Sequence, residues 1–190
     1  MLKKIGLLLL ILSLGGCAYI DQNLCIEPQL QVADANIGQG KKVVLKVIDD
    51  RDEQLIGKRG NQFVPGGKIS TKQDLAEILE KSMVDGLRKK GFDPVKNDEL
   101  GNSLKVELRS LEYNTSMGLW TGGNIGTSVV KITATQPSGK NYEKTYRSQK
   151  EIRTAFVGSQ ETNAKVINGA LANTLDKVFE DRELLDFLAE

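Results

Sequence analysis

The chain has 190 residues, with 26 Lys and Arg against 25 Asp and Glu, no histidine and a formal net charge of +1. Without histidine it lacks the commonest general base, the Ser-His and Cys-His nucleophile pairs and the usual zinc ligand. Charges of both signs are mixed along it and aromatic residues make up 5%, so no single-sign field is available to draw in DNA or RNA.

Residues 1–17 read MLKKIGLLLLILSLGGC. Two lysines precede an apolar run from Ile5 to Leu14, about half the ~20 residues that a bilayer-spanning helix needs. A positive start, a short apolar stretch and a small-residue end mark a cleaved signal. Leu14-Gly15-Gly16-Cys17 is in addition the lipobox pattern of bacterial lipoproteins, with Cys17 as the lipidated residue after residues 1–16 are removed. At ~0.8 kcal/mol per buried methylene, one acyl chain holds a protein marginally and two or three hold it stably. Lipoproteins retained in the inner membrane resemble one another in carrying Asp after the cysteine. Ala18 stands here instead, which points to the periplasmic side of the outer membrane. Lys3 and Lys4 leave with the signal, and the mature chain falls to about −1. Cys25 is then the one remaining cysteine, read as an inert side chain near the tether, with an intermolecular disulfide as the alternative.

The organisation expected after cleavage is a short lipidated tether, 17–25, and one domain, 26–190. Residues 26–32, IEPQLQV, alternate apolar and polar, which predicts a strand that Pro28 confines to an edge. VVLKVI at 43–48 predicts an interior strand, followed by a polar, glycine-rich loop over 49–68. Ser70 to Gln73 fit a capping box, and Leu75, Ile78, Leu79, Met83 and Leu87 recur at helical spacing. Arg88, Lys89 and Lys90 favour the negative helix end, with Gly91 and Pro94 ending it. Leu104, Val106 and Leu108 open a half-buried strand running to about Tyr113. A glycine-rich loop over 114–126 follows. Val130, Ile132 and Ala134 predict a further strand, the turn 136–140 a reversal, and 142–152 a return strand. Ala164, Ile167, Ala170, Leu171, Leu175, Val178 and Phe179 form the stripe of a second helix. Asp181 is placed to cap a short last one bearing Leu184, Leu185 and Leu188.

The order β-β-α-β-β-β-α-α predicts an α+β fold: a two-layer sandwich with a mixed sheet of four to five strands and two main amphipathic helices on one face. If the strands at 43–48 and 104–113 are parallel neighbours, the loops 49–68 and 114–126 leave the same end of the sheet. If the strand at 26–32 also pairs antiparallel with 43–48, the lipid anchor enters there.

Three motif matches fail on inspection. Asp49, Asp50, Asp52 and Glu53 suggest calcium, but Leu55 stands where an EF-hand turn needs glycine, Asn61 stands where its bidentate Glu belongs, and Arg51 offsets the charge. Gly67-Lys68 before a helix lacks the earlier glycine of a phosphate loop, and Ser does not follow Lys68 directly. Ser128 and Lys131 match SxxK, but residues three apart on a strand point to opposite faces, and the accompanying motifs are missing. No metal and no cofactor is expected. The loop 114–126 places Met117, Leu119 and the single tryptophan, Trp120, among glycines. Trp and Met are favoured at recognition surfaces, and folding back over the sheet is the other reading of Trp120. Asp49, Asp50, Arg51, Met117, Leu119 and Trp120 are the candidate interaction residues.

The lipobox LSLGGC, the segment VVLKVIDDRDEQLIG, the helix DLAEILEKSMVDGLRKKGF and the ending in an amphipathic helix with a DFL tail resemble the YajG-like family of bacterial lipoproteins. The resemblance implies an outer-membrane lipoprotein without an assigned activity, and only Cys17 carries over, as the lipidated residue. Two functions follow from the residues: a non-enzymatic interaction or structural domain meeting an envelope protein, or a binder of a small or lipidic ligand in a groove between sheet and helices. The membrane is the partner through the N-terminal lipid in both.

Overall fold

The structure is a computed structural model and describes residues 20–59, 66–97, 101–117, 122–154 and 158–190. Its elements are β1 (Gln22–Asn23), β2 (Lys42–Asp49), β3 (Gly57–Lys58), β4 (Lys68–Ser70), α1 (Leu75–Lys89), β5 (Asp93–Val95), β6 (Asn102–Met117), β7 (Gly122–Thr135), β8 (Asn141–Thr154), α2 (Gln160–Glu180) and α3 (Arg182–Ala189).

Strand β6 organises the sheet. On one edge it pairs antiparallel with β7 along its whole length, and β7 pairs antiparallel with β8. On the other edge β2 runs parallel to it, from Val43 opposite Asn102 to Asp49 opposite Leu108, with β5 parallel beyond β2. Where β2 ends, β3 takes its place at Tyr113, followed outward by antiparallel β4 and parallel β1. The α+β class is as expected. The strand number is not: eight strands join one sheet among the described residues, and it curls as a half-barrel rather than lying as a four- to five-stranded layer. The extra strands β1, β3, β4 and β5 are two or three residues long, too short to carry an alternation signal of their own.

One face of the sheet is apolar and covered. Val43, Leu104, Val106, Leu108, Val130, Ile132 and Ala134 pack with Leu75, Leu79, Met83 and Leu87 of α1 and with Ile167, Leu171, Leu175 and Phe179 of α2. Helix α1 lies against β2 and β5, and α2 against β7 and β8. The helices meet where Gly86 admits the Phe179 ring: a Cβ at Gly86 would lie 2.2 Å from it. The opposite face carries ion pairs, including Lys131–Glu143 at 2.9 Å and Lys105–Glu107 at 3.0 Å.

Residues 26–32 form no strand. They cross the helices as an extended strap, burying Leu24, Ile26 and Val32, so the alternation is real but faces helices rather than a sheet. Pro28 has no N–H to give a ladder, and the neighbouring donors find side chains. Ile26 N–H donates to Gln73 Oε1 at 2.6 Å, Glu27 N–H to Asn168 Oδ1 at 2.8 Å and Gln31 N–H to Asp176 Oδ1 at 2.8 Å. Burial raises the Asp176 carboxyl above its ordinary value, and the Gln31 N–H offsets part of that. Sheet pairing of this segment with β2 is therefore ruled out. Gln22 and Asn23, assigned from sequence to a tether, instead belong to the folded domain.

Three boundaries also move. Helix α1 is capped by Asp74, whose carboxylate accepts from Ala76 N–H and Glu77 N–H. Ser70, the expected cap, ends β4. The expected loop 114–126 is mostly strand, since β6 continues to Met117 and β7 starts at Gly122. The turn 136–140 and the Asp181 cap of α3 fall where the sequence puts them.

Candidate functional site

Polar side chains gather over one half of the sheet, from the end of β2, level with the middle of β6, to the β6–β7 hairpin end. Asp49 ends β2, and Arg51 turns back on it, with Nε and Nη2 each 2.8 Å from a carboxylate oxygen. Asp50 meets Arg109 Nη1 at 2.5 Å. Arg109 stands at the irregularity between Leu108 and Ser110, where the register shift turns it toward the loop. Its Nη2 also donates to Glu107 at 2.9 Å. Asp49 and Asp50 thus each face a guanidinium, a poor start for a calcium site that needs six or more oxygens. Between this loop and β6 lies a groove of about 350 Å³ lined by Arg51, Asp52, Glu53, Arg109, Glu112 and Asn114.

Behind it lies a buried polar network. Tyr113, 2% exposed, donates to Asn124 Oδ1 at 2.7 Å. Asn124 Nδ2 donates in turn to Ile152 O and Thr154 Oγ1. Burial pushes the Tyr113 hydroxyl up to about 12, with the Arg59 charge pulling weakly the other way. Arg59 is itself buried and donates to Ile20 O at 3.3 Å and Gly158 O at 3.2 Å. The Asn163 amide, fully buried on α2, meets the Gln22 side chain at 2.8 Å. Chain entry, hairpin and helix start are thereby tied together. A buried donor or acceptor left unpaired costs about 1–3 kcal/mol, so the network fixes their arrangement.

The chain enters the fold at this end. Ile20 O sits so close to Gly67 that a Cβ there would be 2.2 Å away, and Lys68 N–H donates to Asp21 Oδ1 at 2.6 Å. The segment that resembles a phosphate loop is occupied by the chain's own carboxylate. The parallel pairing of β2 with β6 is as expected, but the expected entry of the chain through a strand at 26–32 fails, and the chain instead comes in through β1 beside β4.

Of the candidate interaction residues, Asp49, Asp50 and Arg51 come together beside Arg109 in the middle of β6, while the backbone of Met117 lies at the hairpin, about 26 Å further along the strand. Leu119 and Trp120 lie outside the described residues. Ser128 is fully buried while Lys131 pairs with Glu143, which separates the SxxK pair as expected. Cys25 is exposed and its Sγ–H donates to Glu27. That hydrogen bond, with slight burial and the Glu27 charge, raises the thiol and keeps it protonated.

A second polar centre sits at the opposite end of the sheet. Asp181 accepts from Tyr142 at 2.9 Å, from Tyr146 at 2.7 Å and from Lys144. Burial resists its ionisation, but these donors and the Leu184 N–H prevail and hold the carboxyl down to about 2. Burial and the same contacts raise both tyrosines. An ionised carboxylate facing protonated hydroxyls has no proton to exchange near neutrality, so the cluster ties α3 to β8.

Arg59, Gln22, Asn124 and Asn163 were missed from sequence. Asn163 carried a signal, a polar residue in line with Ile167, Ala170 and Thr174 on an apolar stripe. Arg59 carried none.

A further groove of about 620 Å³ runs between the strap and α1, lined by Glu27, Gln29, Lys81, Asp85, Arg88 and Lys89 among others.

The model of a family described as uncharacterized lipoprotein matches residues 28–189. Over 195 aligned residues the chain is 25% identical to the uncharacterized lipoprotein YajG of Escherichia coli K12, covering 100% of this chain and 98% of that one, with the same figures for the O6:H1 strain. A crystal structure of a Xanthomonas campestris protein superposes with a TM-score of 0.50 at 12% identity, over 84% of this chain and 91% of the other. That likeness concerns the fold alone.

Proposed function

Because the chain belongs to this family of uncharacterized lipoproteins, we propose that lipid on Cys17 anchors it to the periplasmic face of the outer membrane, where it acts as a non-enzymatic interaction domain. The observation that carries this reading is the docking of Ile20 at the hairpin end of the sheet, through Arg59 and Gly67. Ile20 lies three positions after Cys17, a span of at most about 11 Å. The hairpin end therefore stays beside the bilayer, and Met117, Leu119 and Trp120, with Asp49, Asp50 and Arg51 further back along β6, are the residues offered to a membrane-proximal envelope partner. Asp49 and Asp50 are committed to Arg51 and Arg109, which supports recognition rather than catalysis.

A lipidic ligand finds less support. The space between sheet and helices is filled by side chains such as Leu79, Met83 and Ile132, all 0% exposed. The larger groove lies outside, along α1, and its lining mixes charged side chains with Ile26, Pro28, Leu30, Val32 and Ile78. Replacing Cys17→Ser tests the anchor. The variant should lose lipid labelling and leave the outer-membrane fraction; outer-membrane fractionation without incorporated lipid defeats the reading.

A further inference from the structure

Strands β3 and β4 are antiparallel, and their register sets Lys58 directly opposite Lys68. Directly opposed residues share a face with Cβ atoms about 4.5–5.5 Å apart, and like charges there repel. Both lysines are exposed, and neither has a carboxylate partner among the described residues. The intervening segment 60–65, GNQFVP, contains no acid. Asp21, next in the row, has one carboxylate oxygen taken by Lys68 N–H, and the row stays net positive. An unrelieved lysine pair costs stability unless something anionic meets it.

The position of the pair names what that is. Ile20 sits beside Gly67, the residue before Lys68. It is the one large apolar side chain exposed among the described residues, at 62%, and lies three residues from Cys17. We propose that Lys58, Lys68 and Ile20 form a face that lies on the bilayer, the ammonium groups against anionic lipid headgroups and Ile20 at the acyl boundary. This rests on the lipid-anchor reading and adds to it a fixed orientation: the β1–β4–β3 edge faces the membrane, and the turn 136–140 points away.

The test uses the full lipidated protein in vesicles of phosphatidylcholine, with or without phosphatidylglycerol, treated with an amine-acetylating reagent. Mass spectrometry then gives the rate at each lysine. In anionic vesicles Lys58 and Lys68 should react about fivefold more slowly than in zwitterionic ones, the factor equivalent to the roughly 1 kcal/mol that a surface lysine gains there. The difference should shrink in high salt. Lys140, in the distant turn, should react equally in both. Flotation with the vesicles reports the anchor separately. A chain that fails to float overturns the lipid reading and this one with it. A floating chain with equal rates at Lys58 and Lys68, or with equal slowing at Lys140, overturns this one alone.

Discussion

Replacing Asp181 with alanine should cost more than any other single polar change at the α2–α3 junction. The carboxylate caps α3 through Glu183 N–H at 3.1 Å and Leu184 N–H at 3.3 Å, and losing such a cap costs about 1 kcal/mol. It also accepts from the hydroxyls of Tyr142 and Tyr146, which are 9% and 6% exposed. Those hydroxyls lie 3.3 Å apart, so one can still serve the other and only one is orphaned. A buried hydrogen bond to a charged group is worth about 1.5–3 kcal/mol. The contact with half-exposed Lys144 adds little. The expected loss is about 2.5–4 kcal/mol, or roughly 5–16 °C in Tm for a domain of this size. Denaturant and thermal melts at pH 7 measure it. Because the folded carboxyl is held at about 2, below its ordinary value, its stabilisation is complete above about pH 5 and is lost as pH falls toward 2. Asp181→Asn keeps a capping oxygen but should flatten that acid limb by about 1–2 kcal/mol. A loss below about 1 kcal/mol in the alanine variant, or an acid limb unchanged in the asparagine variant, refutes the reasoning.

Two further outcomes are expected. Gly86→Ala places a methyl 2.2 Å from the Phe179 ring; overpacking of about 1–3 kcal/mol outweighs the up to ~1 kcal/mol gained in helix propensity, so a Tm equal to or above wild type contradicts the tight helix contact. Chelator and nucleotide should each leave Tm unchanged; a shift of several degrees, the scale of the ~2.7 kcal/mol given by ligand at ~100 times its dissociation constant, would show a site that the failed motifs do not contain.

The long elements were legible because their burial is periodic. The stripe Leu75, Leu79, Met83, Leu87 and the alternation of Leu104, Val106 and Leu108 each report one covered face, and both elements lie where the sequence puts them. The strap was misread for a related reason. Alternation reports that every second side chain is buried, not what buries it, and the acceptors that satisfy the strap sit on Gln73, Asn168 and Asp176, far away in sequence. Likewise β3 and β4 exist because β2 ends at Asp49 while β6 runs on to Met117, leaving an edge that a passing segment can pair with. Of the site, the loop charges were visible and their pairing was not. Arg109 reaches Asp50 only because of a register shift that no residue announces.

The strap also sets an order of events. Glu27 is held by a residue 141 positions later and Gln31 by one 145 positions later. Contacts of such separation form late, after the loop between them has closed. On a chain that emerges N-terminus first, Gln73 is available to Ile26 early, but Glu27 and Gln31 have no acceptor until α2 has arrived. Once α2 folds, the strap is sealed, whereas Ile20 is already held beside Gly67 by Arg59 and the β1–β4 pairing. Completion of the strap therefore waits on α2, the second of the three helices to be made.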